Sequence, residues 1–388
     1  MRVVPDRARG YEVAVLGAGC AGAAAAYALA RRRIAPVVVD TSRPDGAVPA
    51  SAAVAVQSGT PADIRLAVRS AERFPELQDA IGGFGYRRTG GLTVALTDAD
   101  AEMGRARAAQ AGAAGLPVAW LSREETLRRE PGLTEHTAGA VYCGYDGVAD
   151  PGALARRLLA AALGFGGATH LDCGYISIAR QNGGFRIRTG RDEIVARRVV
   201  VASMELLGMA VRQLGAGPPA RSGRRRVAVT ERIAPLLRHT VNGIRQHPSG
   251  ELVLDPPALA DEGATAENAR ALVEALRRIA AAAVCLVPGV EPARIIHAPL
   301  LVSAEPADGR PAVGRLEDDL YFALAGADRA VTYCPVIGDA IADAVSRNRW
   351  PDGLDIWAPG RFAVVAAGAG TAGGLGPDRG VQDSSQGS

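Results

Sequence analysis

The sequence contains no lysine; all 44 of its basic residues are arginine. Chemistry that needs a primary amine on a side chain is therefore excluded. No imine can form with pyridoxal phosphate or a sugar, and a phosphate loop of the GxxxxGK[ST] kind is ruled out. Aromatic residues are scarce at 4%, which argues against a stacking platform for single-stranded nucleic acid. The five cysteines, Cys20, Cys143, Cys173, Cys285 and Cys334, are odd in number and lack CxxC spacing. They read as neither a disulfide framework nor a zinc site and suit a reducing, cytoplasmic compartment. The five histidines show no paired ligand spacing, so no metal is expected. No apolar run reaches the ~20 residues of a membrane span, and MRVVPDRARG does not read as a signal peptide. With 44 basic against 41 acidic residues the net charge is +3, too balanced for nucleic acid or a membrane surface as partner.

What is present is a 388-residue chain with 48% hydrophobic residues, which at about 150 residues per domain suggests two domains or one composite one. The most informative stretch is YEVAVLGAGCAGAAAAYALARRRIAPVVVD (11–40). EVAVL reads as a buried strand, AAAAYALARRR as a helix ending in arginines that suit its negative pole, and PVVVD as a second buried strand. Between them GAGCAG places Gly17, Gly19 and Gly22 in a GxGxxG pattern that follows a strand and opens a helix, the context a dinucleotide fingerprint requires. Gly17 permits the tight turn, Gly19 lets a diphosphate approach the backbone, and Gly22 lets the helix pack closely. Asp40 ends the second strand and can accept hydrogen bonds from ribose hydroxyls. Cys20 reads as a small filler. The fingerprint alone does not choose between NAD and FAD.

The rest of the chain bears on that choice by resemblance. EPGL (130–133), YDGVADP (145–151), RRVVVA (197–202), RRRVAVTE (224–231), GIRQHPSGELVLD (243–255), ADGRPAVGR (307–315), LYFALAG (320–326), VTYCPVIGDAIADAV (331–345) and APGRF (358–362) occur in that order. Together with the first 30 residues of the fingerprint, this series resembles the D-amino-acid oxidase family of flavoproteins, from Tyr11 to Phe362. The resemblance implies an α/β (α+β composite) fold: a Rossmann-like FAD-binding domain with an inserted antiparallel-sheet substrate domain. Residues 11–60, 141–222 and 308–350 would form the FAD-binding part, and 61–140 with 223–307 the substrate or cap part. Residues 1–10 and 366–388 are expected to be flexible termini, the latter for its Gly/Ser-rich composition.

The resemblance further implies FAD held without a covalent bond. Its diphosphate and ribose contacts would come from Gly17, Ala18, Gly19, Cys20, Ala21, Gly22, Asp40 and Thr41. Further contacts fall on Ala47, Ser51 and Ala52, on Ile176, and on Ala202 and Ser203. Ala330, Val331 and Thr332 complete the set.

Departures from the family pattern gather on the ring and substrate side. Met204 stands at a glycine position of the turn after 197–202, and Gly326 and Ala330 replace a histidine and a glycine before the last helix. Ser303 occupies the place of an arginine that, in relatives, pairs with the substrate carboxylate. Glu305 would repel such a carboxylate, although Arg329, Arg245 or Arg294 offers a replacement from another direction. No catalytic acid or base is assigned; His297, Ser303, Glu305 and Arg329 are the ring-side candidates. The implied function is an FAD-dependent oxidoreductase that takes a hydride from a small-molecule amine without a simple free α-carboxylate. The alternative is a flavin-binding, catalytically silent subunit that supports a partner enzyme, and an NAD-dependent dehydrogenase ranks behind both.

Overall fold

The computed structural model describes residues 9–42, 51–181, 183–256, 269–326 and 329–362, with the side chains of 222–225 and 302–304 excepted. Its first strand, Arg9–Leu16, runs parallel to Pro36–Val39 on one side and to Glu193–Val201 on the other. Ala168–His170 extends the parallel set past Pro36–Val39, and Leu320–Leu324 extends it past Glu193–Val201. Ala312–Glu317 closes that edge antiparallel, and a hairpin of Ile176–Gln181 and Gly184–Thr189 also pairs with Glu193–Val201.

The apolar runs of these strands are continuous because both faces are covered, as parallel sheets require. Side chains alternate between two cores. Val13, Val15 and Val38 pack on one face, and Ala14, Leu16, Val37 and Val39 on the other. Against the first face lies the helix Cys20–Arg31, in which Cys20 to Ala30 are all buried. Such complete burial is possible because most of its side chains are methyl groups, which also carry the highest helix propensity. It is flanked by Pro151–Gly164 and by the last helix, Ala330–Arg347.

A second, mixed sheet runs in the order Ile295–His297, Ala228–Arg232, Glu251–Leu254, Ile244–Gln246, Thr240–Val241, Gly91–Ala95, Gly139–Cys143 and Val118–Ser122. Its pairings are antiparallel except between Thr240–Val241 and Gly91–Ala95. Two small ladders join the regions: Ala52–Val54 with Gly147–Ala149, and Ala220–Arg226 with Leu300–Pro306. The GIRQHPSGELVLD segment (243–255) forms a hairpin of strands Ile244–Gln246 and Glu251–Leu254. The stretch from 61 to 81 forms two helices, Pro61–Ala71 and Phe74–Ile81, with Pro75 in the first turn of the second. Pro is tolerated at that place because the missing N–H would be unpaired anyway.

Candidate functional site

The turn between first strand and first helix is built around three glycines with different tasks. Gly17 adopts φ +121°, which a side chain disfavours, and a Cβ there would come 2.8 Å from the Cβ of Ser203. At Gly22 a Cβ would fall 2.0 Å from the carbonyl oxygen of Gly17. Gly19 differs: it is the N-cap in an extended conformation, offers no side-chain cap, and a Cβ there would meet nothing within 4 Å. The first-turn N–H groups of Cys20, Ala21 and Gly22 have no intrahelical acceptor. They point, with the positive pole of the helix, into the open side of Gly19.

Asp40 stands opposite this turn, 8% exposed. Its Oδ2 accepts the Ala18 N–H at 2.6 Å, and its Oδ1 accepts from the backbone N–H and the hydroxyl of Ser42. Thr41 lies between them, half-buried. Nearby, Cys173 donates both its backbone N–H and its thiol to the Asp40 carbonyl, and Ile176 follows, buried, at the start of the hairpin. Ala202 donates to the Leu16 carbonyl beside Gly17, and Ser203 caps the helix Met204–Leu214 through the N–H of Leu206. Met204 therefore begins a helix where the family pattern has a glycine turn. Cys20 is buried with its thiol on the Pro151 carbonyl, and burial pushes its pKa up to about 12. At neutral pH it is a neutral filler, not a nucleophile.

A second group gathers at the start of the last helix. Ser51 is buried, and among the described residues its hydroxyl has no hydrogen-bond partner. The Ser51 carbonyl accepts from Arg245 Nε at 2.7 Å, and Ala52 begins the ladder with Gly147–Ala149. Thr332 Oγ1 accepts the Ala55 N–H at 3.0 Å, tying the 51–57 segment to the first helical turn after Arg329. Ala330 lines that turn half-buried, and Val331 is buried. Glu305 reaches the same corner: its Cβ lies 3.2 Å from where a Cβ on Gly326 would be, and its carboxylate is 3.8 Å from Arg221.

His297 is not part of this corner; it stands exposed on the outermost strand of the second sheet, opposite Val229. Of the three arginines considered as substitutes at position 303, Arg329 stands half-buried at the N-cap of the last helix, within electrostatic reach of Arg107, and Arg294 is committed to Glu231 on the surface. Arg245 is buried, held by the carbonyls of Ser51 and Gly243 and paired with Asp255. Ser303 sits in the ladder opposite Gly223, its side chain outside the described residues, as are Ala47 and the outer parts of both termini.

Two residues that no motif singles out join the site. Asp146 is buried, and its carboxylate accepts the N–H groups of Val56 and Gln57 and the amide of Gln57. Burial pushes its pKa up to about 6, against the opposing pull of those hydrogen bonds. Arg107, from the helix Asp98–Ala113, donates to the Gln57 carbonyl. Burial lowers its pKa; the charge of Asp146 acts against that, and the charge of Arg329 with it. Nothing in DADAEMGRARAAQAGA marks Arg107 among its neighbours, because its partners lie far away in sequence. Asp146 sits inside the YDGVADP word, which points to the segment without giving the residue's role.

The family model described as FAD dependent oxidoreductase matches residues 12–344. The chain belongs to the DAO family. As a DAO-family protein it is 25% identical over 375 residues to an opine oxidase subunit of Rhizobium meliloti, covering 92% of this chain and 100% of that one. It is 26% identical over 361 residues to glycine oxidase of Geobacillus kaustophilus (strain HTA426), with 87% and 93% covered. The crystal structure of glycine oxidase from Geobacillus kaustophilus matches with a TM-score of 0.80 at 25% identity, over 92% of this chain and 100% of that one.

The residues present fit the cofactor of a DAO-family enzyme. The space above Gly19 accepts a group that any side chain would obstruct, next to unpaired N–H donors. The buried Ser51 hydroxyl, without a partner among the described residues, is the second sign, because a buried polar atom in a native protein normally has a partner.

Proposed function

We propose that this DAO-family oxidoreductase oxidises an amine, and that the amine lacks a simple free α-carboxylate. Residues 11–60, 141–222 and 308–350 hold non-covalent FAD in this reading, and 61–140 with 223–307 form the substrate side. When bound, FAD supplies the acceptor for the hydride that leaves the substrate carbon next to nitrogen. The chain's own residues bind and orient. The N–H groups of Cys20, Ala21 and Gly22 hold the diphosphate, Asp40 the adenosine ribose, and the Ser51 hydroxyl and the first turn of the last helix the ring end. Amine oxidation of this kind asks the protein chiefly for alignment and a dry pocket, so an exposed His297 is no obstacle.

The observation that carries the substrate reading is Glu305 beside Gly326, with Arg245 and Arg294 already engaged by protein acceptors, so that of the three arginines only Arg329, at the N-cap of the last helix, is left to face a carboxylate. A carboxylate placed there meets the negative charge of Glu305, which Arg221 at 3.8 Å offsets in part, and loss of an arginine contact in a dry site costs about 2–5 kcal/mol. The test is anaerobic: flavin-loaded protein is mixed with glycine, with sarcosine, or with N-methylbenzylamine, and bleaching of the flavin absorbance is followed. Bleaching by the carboxylate-free amine at a rate at least tenfold above the two amino acids supports the reading. The opposite order contradicts it.

A second reading is favoured by the full-length match to a protein named as a subunit: a flavin-binding subunit that works with a partner chain. Co-purification of a second polypeptide from the native source, with no bleaching by any amine in its absence, would select it.

A further inference from the structure

Away from the cofactor turn, three helical stripes enclose a groove of about 450 Å³. Ala24, Tyr27, Ala28 and Arg31 form one stripe on the first helix, at the spacing that puts side chains on one face. Pro335, Asp339 and Asp343 form a second on the last helix, and Arg73, Leu77 and Ala80 belong to the third. The floor is apolar, with Ala24, Tyr27, Ala28 and Leu158 all buried. The volume lies in the range of small-molecule sites, about 300–1,000 Å³.

The charges sort into two sets. Arg32 pairs with Asp343 at 2.9 Å and with Asp339 at 3.7 Å, and Arg73 pairs with Asp339. Those pairs fix the wall. Arg31 and Arg69 also line the groove, and among the described residues neither has a carboxylate within ion-pair distance; Arg31 rests over the ring of Tyr27. Glu76 is the remaining acid on the lining, so four arginines face three carboxylates. Burial lowers the Arg73 pKa; Glu76 opposes that, and the crowding of Arg31, Arg32 and Arg69 adds to it, showing a positive local field.

We propose that this groove binds an organic anion of about nucleotide size, its apolar body on the Ala24–Ala28 floor and its anionic group between Arg31 and Arg69. The guanidinium forks of these two residues suit a phosphate or a carboxylate equally, so the source of the anion is left to experiment. The site is separate from the cofactor turn and does not depend on the amine-oxidase reading.

Isothermal titration calorimetry on FAD-saturated full-length protein tests it, with adenosine monophosphate, octanoate and inorganic phosphate as probes. The visible flavin spectrum is monitored, so that entry of the nucleotide into the cofactor site would be seen as flavin loss. Saturable binding of the nucleotide or of octanoate supports the site and identifies the phosphate or the carboxylate source. Arg31→Gln and Arg69→Gln should each weaken that binding about tenfold, and Ala80→Trp should abolish it by filling an exposed position of the groove. Thermal unfolding of the three variants should match the parent. No saturable heat with either organic probe, binding by inorganic phosphate as tight as by the organic anions, or undiminished affinity in the Arg31→Gln/Arg69→Gln double variant would overturn the proposal.

Discussion

At Gly22 the permitted space is smaller than one methyl group. A Cβ there would lie 2.0 Å from the Gly17 carbonyl oxygen and 3.1 Å from the Ala202 Cβ, both in rigid surroundings. Gly22→Ala should therefore destabilise the chain by about 1–3 kcal/mol, as overpacking of a tight core does, and lower flavin retention with it; urea unfolding and the ratio of visible to ultraviolet absorbance measure both. Asp146 carries a different prediction. Its folded pKa is raised to about 6 from 3.8, chiefly by burial. A raised carboxyl contributes stability that is fully present below pH 4 and lost as pH rises through about 6. Relative to Asp146→Asn, the parent should lose on the order of 1 kcal/mol per pH unit between pH 4 and 6, and the difference should level off above that. A flat difference would mean that the buried carboxylate is ionised throughout.

At the scale of elements, the strands and helices around the glycine turn were legible because propensity, apolar runs and turn chemistry agree there. The alanine-rich first helix, the PVVV strand and the hairpin at 243–255 follow from local pattern. Cross-links between elements were not legible. Asp63 closes a capping box with Thr60, yet it also accepts from Trp357 Nε1 and pairs with Arg310. Burial raises its pKa, and the hydrogen bonds from Thr60 and Trp357 outweigh that and leave it lowered. Only the cap could be read from TPAD; the other partners come from the far end of the chain. The bond from Ala55 to Thr332 is of the same kind. Thr332→Val keeps the shape and removes the acceptor, leaving the Ala55 N–H unpaired. The expected cost is about 1–3 kcal/mol, read from urea denaturation. An unchanged midpoint would show that the two segments are not tied there.

For the whole molecule, the family words in the sequence anticipated a parallel sheet and a second sheet, and the chain has both. The ring-side corner was harder to read. Position 303 was recognised by counting, but the fates of Arg245 and Arg294 depend on Ser51, Asp255 and Glu231, which no spacing rule connects. Arg107 entered only through folding, from a helix whose one other arginine, Arg105, lies over the ring of Trp120. The cofactor half was clear because its chemistry is carried by backbone groups and glycines in one short segment; the substrate half is assembled from side chains of distant segments.

Everything about activity depends on the space over Gly19 holding the diphosphate of FAD. Gly19 has an extended backbone that any residue adopts, and a Cβ there would meet no atom of the described residues within 4 Å. Gly19→Leu should thus fold with the melting temperature of the flavin-free parent while failing to take up FAD on reconstitution, whereas the parent turns yellow. A yellow Gly19→Leu protein with parent-like affinity, or a parent that stays colourless after reconstitution, would contradict the account.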